Sequence, residues 1–261
     1  MKKNMWLLVL AFACSFSKMA EAGLIQYVTP NSSQTGAPGS VHSVSGEADF
    51  TLGNGTLTLT LQNYTADPIA DTQMISGIKF NVSGASAETL TSALGKTGTI
   101  NGGGTLPTSV SSSPVTLDHW QASESGTQIY VNTFSGGKPN QLIIGPGDAS
   151  GKYNNANPSI TGHEPSVLNS ATFTFNITGV TALSTLSNVS LIFGTDSALP
   201  SYNLVTLVQS SSSQPSSVPE PSSFALLGIG GLAMAIELIA DAECGLRNSN
   251  TRIWRLQETS P

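Results

Sequence analysis

The chain has 261 residues, only 10% of them charged, with a formal net charge of -6. Between Gly23 and Ser217 it carries four lysines, no arginine and ten acids. Nucleic-acid binding depends on clustered Lys and Arg, so that class of partner is excluded.

The N-terminus reads as a signal peptide over residues 1–22. Lys2 and Lys3 form a positive start, and Met5 to Phe16 an apolar stretch too short for an ordinary span. Ala20-Glu21-Ala22 then fits the small-x-small cleavage rule. This predicts a signal helix, export through the Sec machinery and a mature start near Gly23. Cys14 and Cys244 both lie outside residues 23–209, which leaves that region no disulfide and no Cys-based metal site.

Residues 23–209 read as one all-β ectodomain, an antiparallel β-sandwich or jelly roll. Leu24 to Val28 is a short apolar strand, followed by a Ser/Pro/Gly-rich loop. Leu57, Leu59 and Leu61 then alternate with Thr56, Thr58, Thr60 and Gln62. This period of two marks a half-buried strand with threonine outside. Asn54-Gly55 separates Ala48–Leu52 from Thr56–Tyr64 and predicts a hairpin with a type I′ turn. Ile78, Phe80 and Val82 repeat the alternation within Ile75–Val82. Residues 84–114 read mostly as loop, with at most one helical turn over Glu88–Leu94. Further strands are predicted at Val115–Ala122, Thr127–Phe134, Gln141–Ile144, Ala171–Ile177, Val189–Phe193 and Leu204–Val208. Short strands with turn signals between them, and no amphipathic helix, give the all-β class.

The stretch Gly145-Pro146-Gly147-Asp148, Tyr153-Asn154-Asn155-Ala156-Asn157 and His163-Glu164-Pro165 is a long loop inside a compact domain. Loops of that length are often functional. Asp148, Asn154, Asn155, Asn157 and Glu164 offer the oxygen ligands that calcium takes. Tyr153 with the amides equally suits a sugar ring, and Trp120 and Tyr130 are further aromatic candidates. The plain alternative is that Asn, Gly and Pro simply close turns.

No residue reads as a catalyst, and the chain is not expected to be an enzyme. His42, His119 and His163 stand in no zinc-binding spacing, and no Gly-x-Ser-x-Gly elbow occurs. Asn31, Asn54, Asn63, Asn81, Asn176 and Asn188 each head an Asn-x-Ser/Thr triplet, an acceptor pattern for surface glycosylation.

Residues 210–217 form a Ser-rich linker. After it, Val218-Pro219-Glu220-Pro221 should be an extended handle, because its two prolines are hostile to helix. Ser222 and Ser223 suit a helix N-cap, and Phe224 to Ile236 is a small-residue-rich apolar run. Residues 218–240 resemble the sorting signal of PEP-CTERM proteins, which are processed by membrane proteases called exosortases. Residues 115–223 are similar to one recurring group of PEP-CTERM ectodomains. The resemblance implies a transiently anchored chain with processing at Val218, Pro219, Glu220 and Pro221. It further implies delivery to the cell surface or matrix and association with exopolysaccharide. The family's basic run after the helix is replaced here by Glu237, Asp241 and Glu243, within and before a polar tail over 241–261.

Overall fold

A computed structural model describes residues 23–31, 33–36, 40–134, 139–195 and 204–210. The expected signal helix, nearly all of the Ser-rich linker, the sorting signal with its hydrophobic helix, and the polar tail lie outside the described residues. No helix among the described residues is long and apolar enough to cross a membrane.

The strands are β1 (Leu24–Val28), β2 (Gln34–Thr35), β3 (His42–Ser43), β4 (Gly46–Gly53) and β5 (Thr56–Asn63). They continue with β6 (Ile75–Val82), β7 (Ala87–Gly98), β8 (Val115–Thr116), β9 (Gln121–Ser125), β10 (Gln128–Asn132) and β11 (Ile143–Ile144). A four-residue helix α1 (Pro158–Thr161) precedes β12 (Ser166–Thr178), β13 (Leu186–Phe193), β14 (Leu204–Thr206) and β15 (Val208–Gln209). All but β2 and β3 join one sheet of 13 strands. The sheet is mixed rather than purely antiparallel, since β11 runs parallel to β12.

Two limbs of this sheet meet at β11, which pairs with β6 on one side and β12 on the other. One limb has the order β14-β13-β6-β10-β9, the other β8-β7-β12-β5-β4-β1-β15. Side chains of both limbs contribute to one apolar core. Phe50 of β4 meets Phe80 of β6 with ring centroids 5.1 Å apart, and Tyr27 of β1 packs edge-on against Phe50 at 5.9 Å. Edge-to-face packing of this kind adds to the apolar burial of each ring. The Tyr27 hydroxyl donates to the Leu186 carbonyl at 3.1 Å, which satisfies its polar end inside the core.

A second closure lies opposite β11. Residues 204–206 pair with β13 and residues 208–209 pair with β1, so one continuous segment stitches the free edges of both limbs together. Leu207, between the two pairings, is buried, and its N–H donates to the Val189 carbonyl. Edge strands left open invite pairing with other chains, and this clasp covers two of them.

The leucine alternation places Leu57, Leu59 and Leu61 inside and the threonines outside, as patterning requires. The hairpin joining β4 to β5 forms in the expected register, with Gly53 opposite Thr56. Its turn is not type I′, however. Among its two loop residues only Gly55 has positive φ, +75°, the pattern of a type II turn. The Gly55 N–H donates to Val180 and its carbonyl accepts from Ile177, so contacts with β12 and beyond decide the turn geometry.

Residues 87–98 are the largest correction. They form a 12-residue strand hydrogen-bonded along β12, in place of loop or helical turn. Their inward positions include Ala93, Gly95 and Gly98, residues too small to give an apolar signal. Gly95 is required there, because a Cβ would stand 2.7 Å from Val167 and 3.2 Å from Leu117. The predicted Val115–Ala122 strand is broken by a turn over Leu117–Trp120 into β8 and β9. Asn169 and Asn188, with φ of +66° and +52°, sit at the register shifts that bend β12 and β13. Asparagine tolerates this left-handed geometry better than most residues.

Candidate functional site

The long loop between β11 and β12 is a packed cap. Tyr153, Ile160, Ile144, Leu142, Met74 and Ile100 form a second, smaller apolar cluster beneath it. Tyr153 is 3% exposed, and its hydroxyl donates to the Gly145 carbonyl at 2.8 Å. Burial, helped by the Asp67 charge, pushes its phenol up to about 12. A ring so placed cannot stack on a sugar from solvent. Trp120 is likewise 3% exposed, its ring 4.8 Å from Phe173 and its indole N–H donating to Gln141. Tyr130 stays half-buried on β10 with the Lys79 ammonium 5.0 Å from its ring centre.

The polar side chains of the loop close turns. Asp148 Oδ1 accepts from the Ser150 hydroxyl and N–H and from the Lys152 N–H at 2.7–2.9 Å. Its Oδ2 accepts from Asn154 Nδ2 at 2.5 Å. Asn155 bonds Asp67 through both its N–H and its amide, and Asn157 caps α1 by accepting from Ser159. Glu164 Oε1 accepts from the Ile100 N–H, joining the loop to the turn after β7. Burial raises the Glu164 carboxyl above the ordinary range, and the Ile100 N–H and Thr99 side chain oppose that rise. The six loop residues singled out in the sequence therefore lie in one cap, where oxygens of Asp148, Asn157 and Glu164 accept from protein donors. Among the described residues, no three His, Cys, Asp or Glu side chains gather as a metal-holding group.

The Ser150 hydroxyl, the Lys152 N–H and their companions pull Asp148 down to about 2. Its turn contribution is complete above the ordinary Asp value of about 3.9 and is lost as pH falls through the folded value near 2. Asp148→Ala is expected to speed amide exchange at Ser150 and Lys152 while β5 and β12 keep their protection. Unchanged exchange at the two amides would contradict this role.

Buried amides hold the corner near β11. Asn63 donates to the Gln73 and Ile143 carbonyls at 2.8 and 2.9 Å and accepts from the Thr65 N–H. Its side chain is thus spent inside, and Asn63 is not a glycosylation acceptor, whereas Asn31, Asn54, Asn176 and Asn188 are exposed. Gln73 accepts from Ile69 and donates to Ser43, and Gln141 donates to Asp118. Hydrogen-bonded networks of this kind fix one arrangement of a core.

One polar cluster escaped the sequence reading. On the outer face of β4 stand Glu47 and Asp49, opposite Gln62 and Thr60 of β5 and Val28 and Gln26 of β1. Glu47 hydrogen-bonds Gln26, Asp49 and Tyr64. Burial, then the Asp49 charge, raises its carboxyl above the ordinary range. A raised folded value means the folded chain holds the proton longer than the unfolded one. This contribution is therefore most favourable below the unfolded Glu value and weakens as pH rises through the folded value. Glu47→Gln is expected to melt higher than the parent chain near pH 8 and equal to it near pH 4, by that linkage. Equal melting at both pH values would remove the argument. The i, i+2 spacing of two acids opposite amides was the available signal, hidden because each acid alone looks like a solvated outer residue.

Residues 217–236 match the family model of the PEP-CTERM protein-sorting motif. The chain thus carries a sorting signal of the exosortase class, which points to export and to handling by a membrane protein. No curated protein matches the chain, and no solved structure matches it.

Proposed function

We propose that this is an exported surface or extracellular-matrix protein with a structural or adhesive role, associated with exopolysaccharide. The observation that carries the reading is the sorting motif over residues 217–236; Val218, Pro219, Glu220 and Pro221 lie within it and are read here as the processing signal. The chain enters through the Sec machinery, is held briefly at the membrane and is released after exosortase-type cleavage. The ectodomain suits that career. Its two limbs share one core in the manner of a sandwich, its outer strand positions are mostly hydroxyl and amide, and the edges at β1 and β13 are clasped. A surface of this kind is solvated without the charge that would drive nonspecific binding.

Replacing Pro219-Glu220-Pro221 by three alanines in the native host tests the reading. The variant is expected to accumulate in the membrane fraction at the unprocessed mass while the parent chain reaches the surface fraction. Identical fractionation and mass for the two chains would overturn it.

The second reading, a glycan binder of the carbohydrate-binding-module kind, is favoured by a different place from the long loop: the outer face around Tyr64.

A further inference from the structure

Tyr64 follows β5 on the outer face and is 48% exposed, in contrast to buried Tyr27, Tyr153 and Trp120. Its hydroxyl donates to Gln62 Oε1 at 3.1 Å, which fixes the ring beside the outer positions of β4 and β5. Two rows cross the limb from there. Val28, Glu47, Gln62 and Ser170 stand side by side, and Gln26, Asp49, Thr60 and Thr172 form the next row. Neighbouring strands place such side chains about 4.8 Å apart, and alternate residues along a strand about 6.7 Å apart. The Thr60 and Thr172 hydroxyls lie 3.2 Å from each other in the second row.

The cluster mixes three kinds of group that sugars use together. Gln62, Gln26 and the threonines both donate and accept, as vicinal hydroxyls do. Asp49 and Glu47, the latter only 9% exposed, add carboxyl groups beside them. Tyr64 supplies an exposed ring against which the C–H face of a sugar can lie. The charges also select. The groups on this face are acidic or neutral, so a polyuronate or sulfated chain meets repulsion while an uncharged one does not.

We propose that the outer face formed by Tyr64, Gln62, Glu47, Asp49, Gln26 and Thr60 docks an uncharged glycan chain. This deepens the matrix reading above and rests on it only for the encounter, because binding in solution is measured apart from sorting. The test uses the full chain in mild detergent, run in native gels containing hydroxyethylcellulose, dextran or laminarin, with polygalacturonate as the charged comparator. At least one neutral glycan is expected to retard the chain, and more strongly than polygalacturonate. Tyr64→Ala is expected to weaken that retardation about tenfold, a change typical of losing one good contact. Gln62→Ala should weaken it in the same direction, while Tyr130→Phe on the other limb leaves it unchanged. Far-ultraviolet circular dichroism and the melting midpoint verify that Tyr64→Ala folds; if it does not, the Gln62 and Tyr130 variants decide. Absence of retardation by every neutral glycan, a stronger effect of polygalacturonate, or retardation indifferent to Tyr64 and Gln62 would overturn the proposal. Failure of the sorting variant in cells with glycan binding intact would instead sink the surface reading alone.

Discussion

Replacing Phe50 by alanine is expected to lower the unfolding free energy by about 3–5 kcal/mol, the range for emptying a buried phenylalanine site. Phe50 is fully buried, and its ring touches Tyr27 on its own limb and Phe80 on the other. The two limbs are linked by backbone pairing at β11 and at the C-terminal clasp, and between those closures core side chains such as Phe50 and Phe80 join them. The cavity left by alanine would open at that contact. Gly46 shows how tightly the space is filled, since a Cβ there would stand 2.9 Å from Leu191 and 3.4 Å from Ile75, both on the facing limb. Urea unfolding of the full chain measures the loss. A change under about 1 kcal/mol, the size of an ordinary surface substitution or less, would mean that the limbs do not rely on this contact.

Leu207→Asp is expected to open the clasp. The substitution removes about 2 kcal/mol of apolar burial. It also places a carboxyl where Leu207 is 5% exposed, at a desolvation cost that a single residue cannot recover. Hydrogen exchange distinguishes local opening from global loss. Amides of β1 and β13 should lose protection first, while β5 and β12, each paired on both sides, remain slow. Unchanged exchange at β1 and β13 would show that residues 204–210 are not what closes the sheet. The position of this segment gives the result a further meaning. It is the last described stretch before the linker, so any pull from the sorting signal reaches the ectodomain through the clasp.

How much of this was legible in the chain depends on where apolar side chains signal the fold. Leu57, Leu59, Leu61, Ile78, Phe80 and Val82 alternate openly, and β1, β5 and β6 appear at or within a residue of their expected bounds. The strand β7 was hidden because Ala93, Gly95 and Gly98 serve its inner face by being small, and Leu94 points outward at 40% exposure. Residues 204–208 read as one strand, but two partners divide them, a choice made by tertiary closure and not by local preference. The Asn-rich loop stood out by its length and composition, but the sequence left turn closure, calcium and sugar contact open. The structure places Tyr153 in the second apolar cluster and Asp148 in its own turn, placements that depend on packing partners remote in the chain. Asn63, Gln73 and Gln141 could not be read as interior residues, since amides announce burial only when their partners are in place. The sorting motif was legible because its proline-bracketed handle and apolar run need no tertiary context. Its match ends at Ile236, where the apolar run also ends.

The measurement that bears most directly on the account is the intact mass of the chain recovered from the cell surface or medium of its own host. Export and exosortase-type processing predict a species starting near Gly23 and ending close to Val218–Pro221, without the Trp254-containing tail. A surface species that retains residues up to Pro261, or a chain found only in the cytoplasm with residues 1–22 attached, would contradict it.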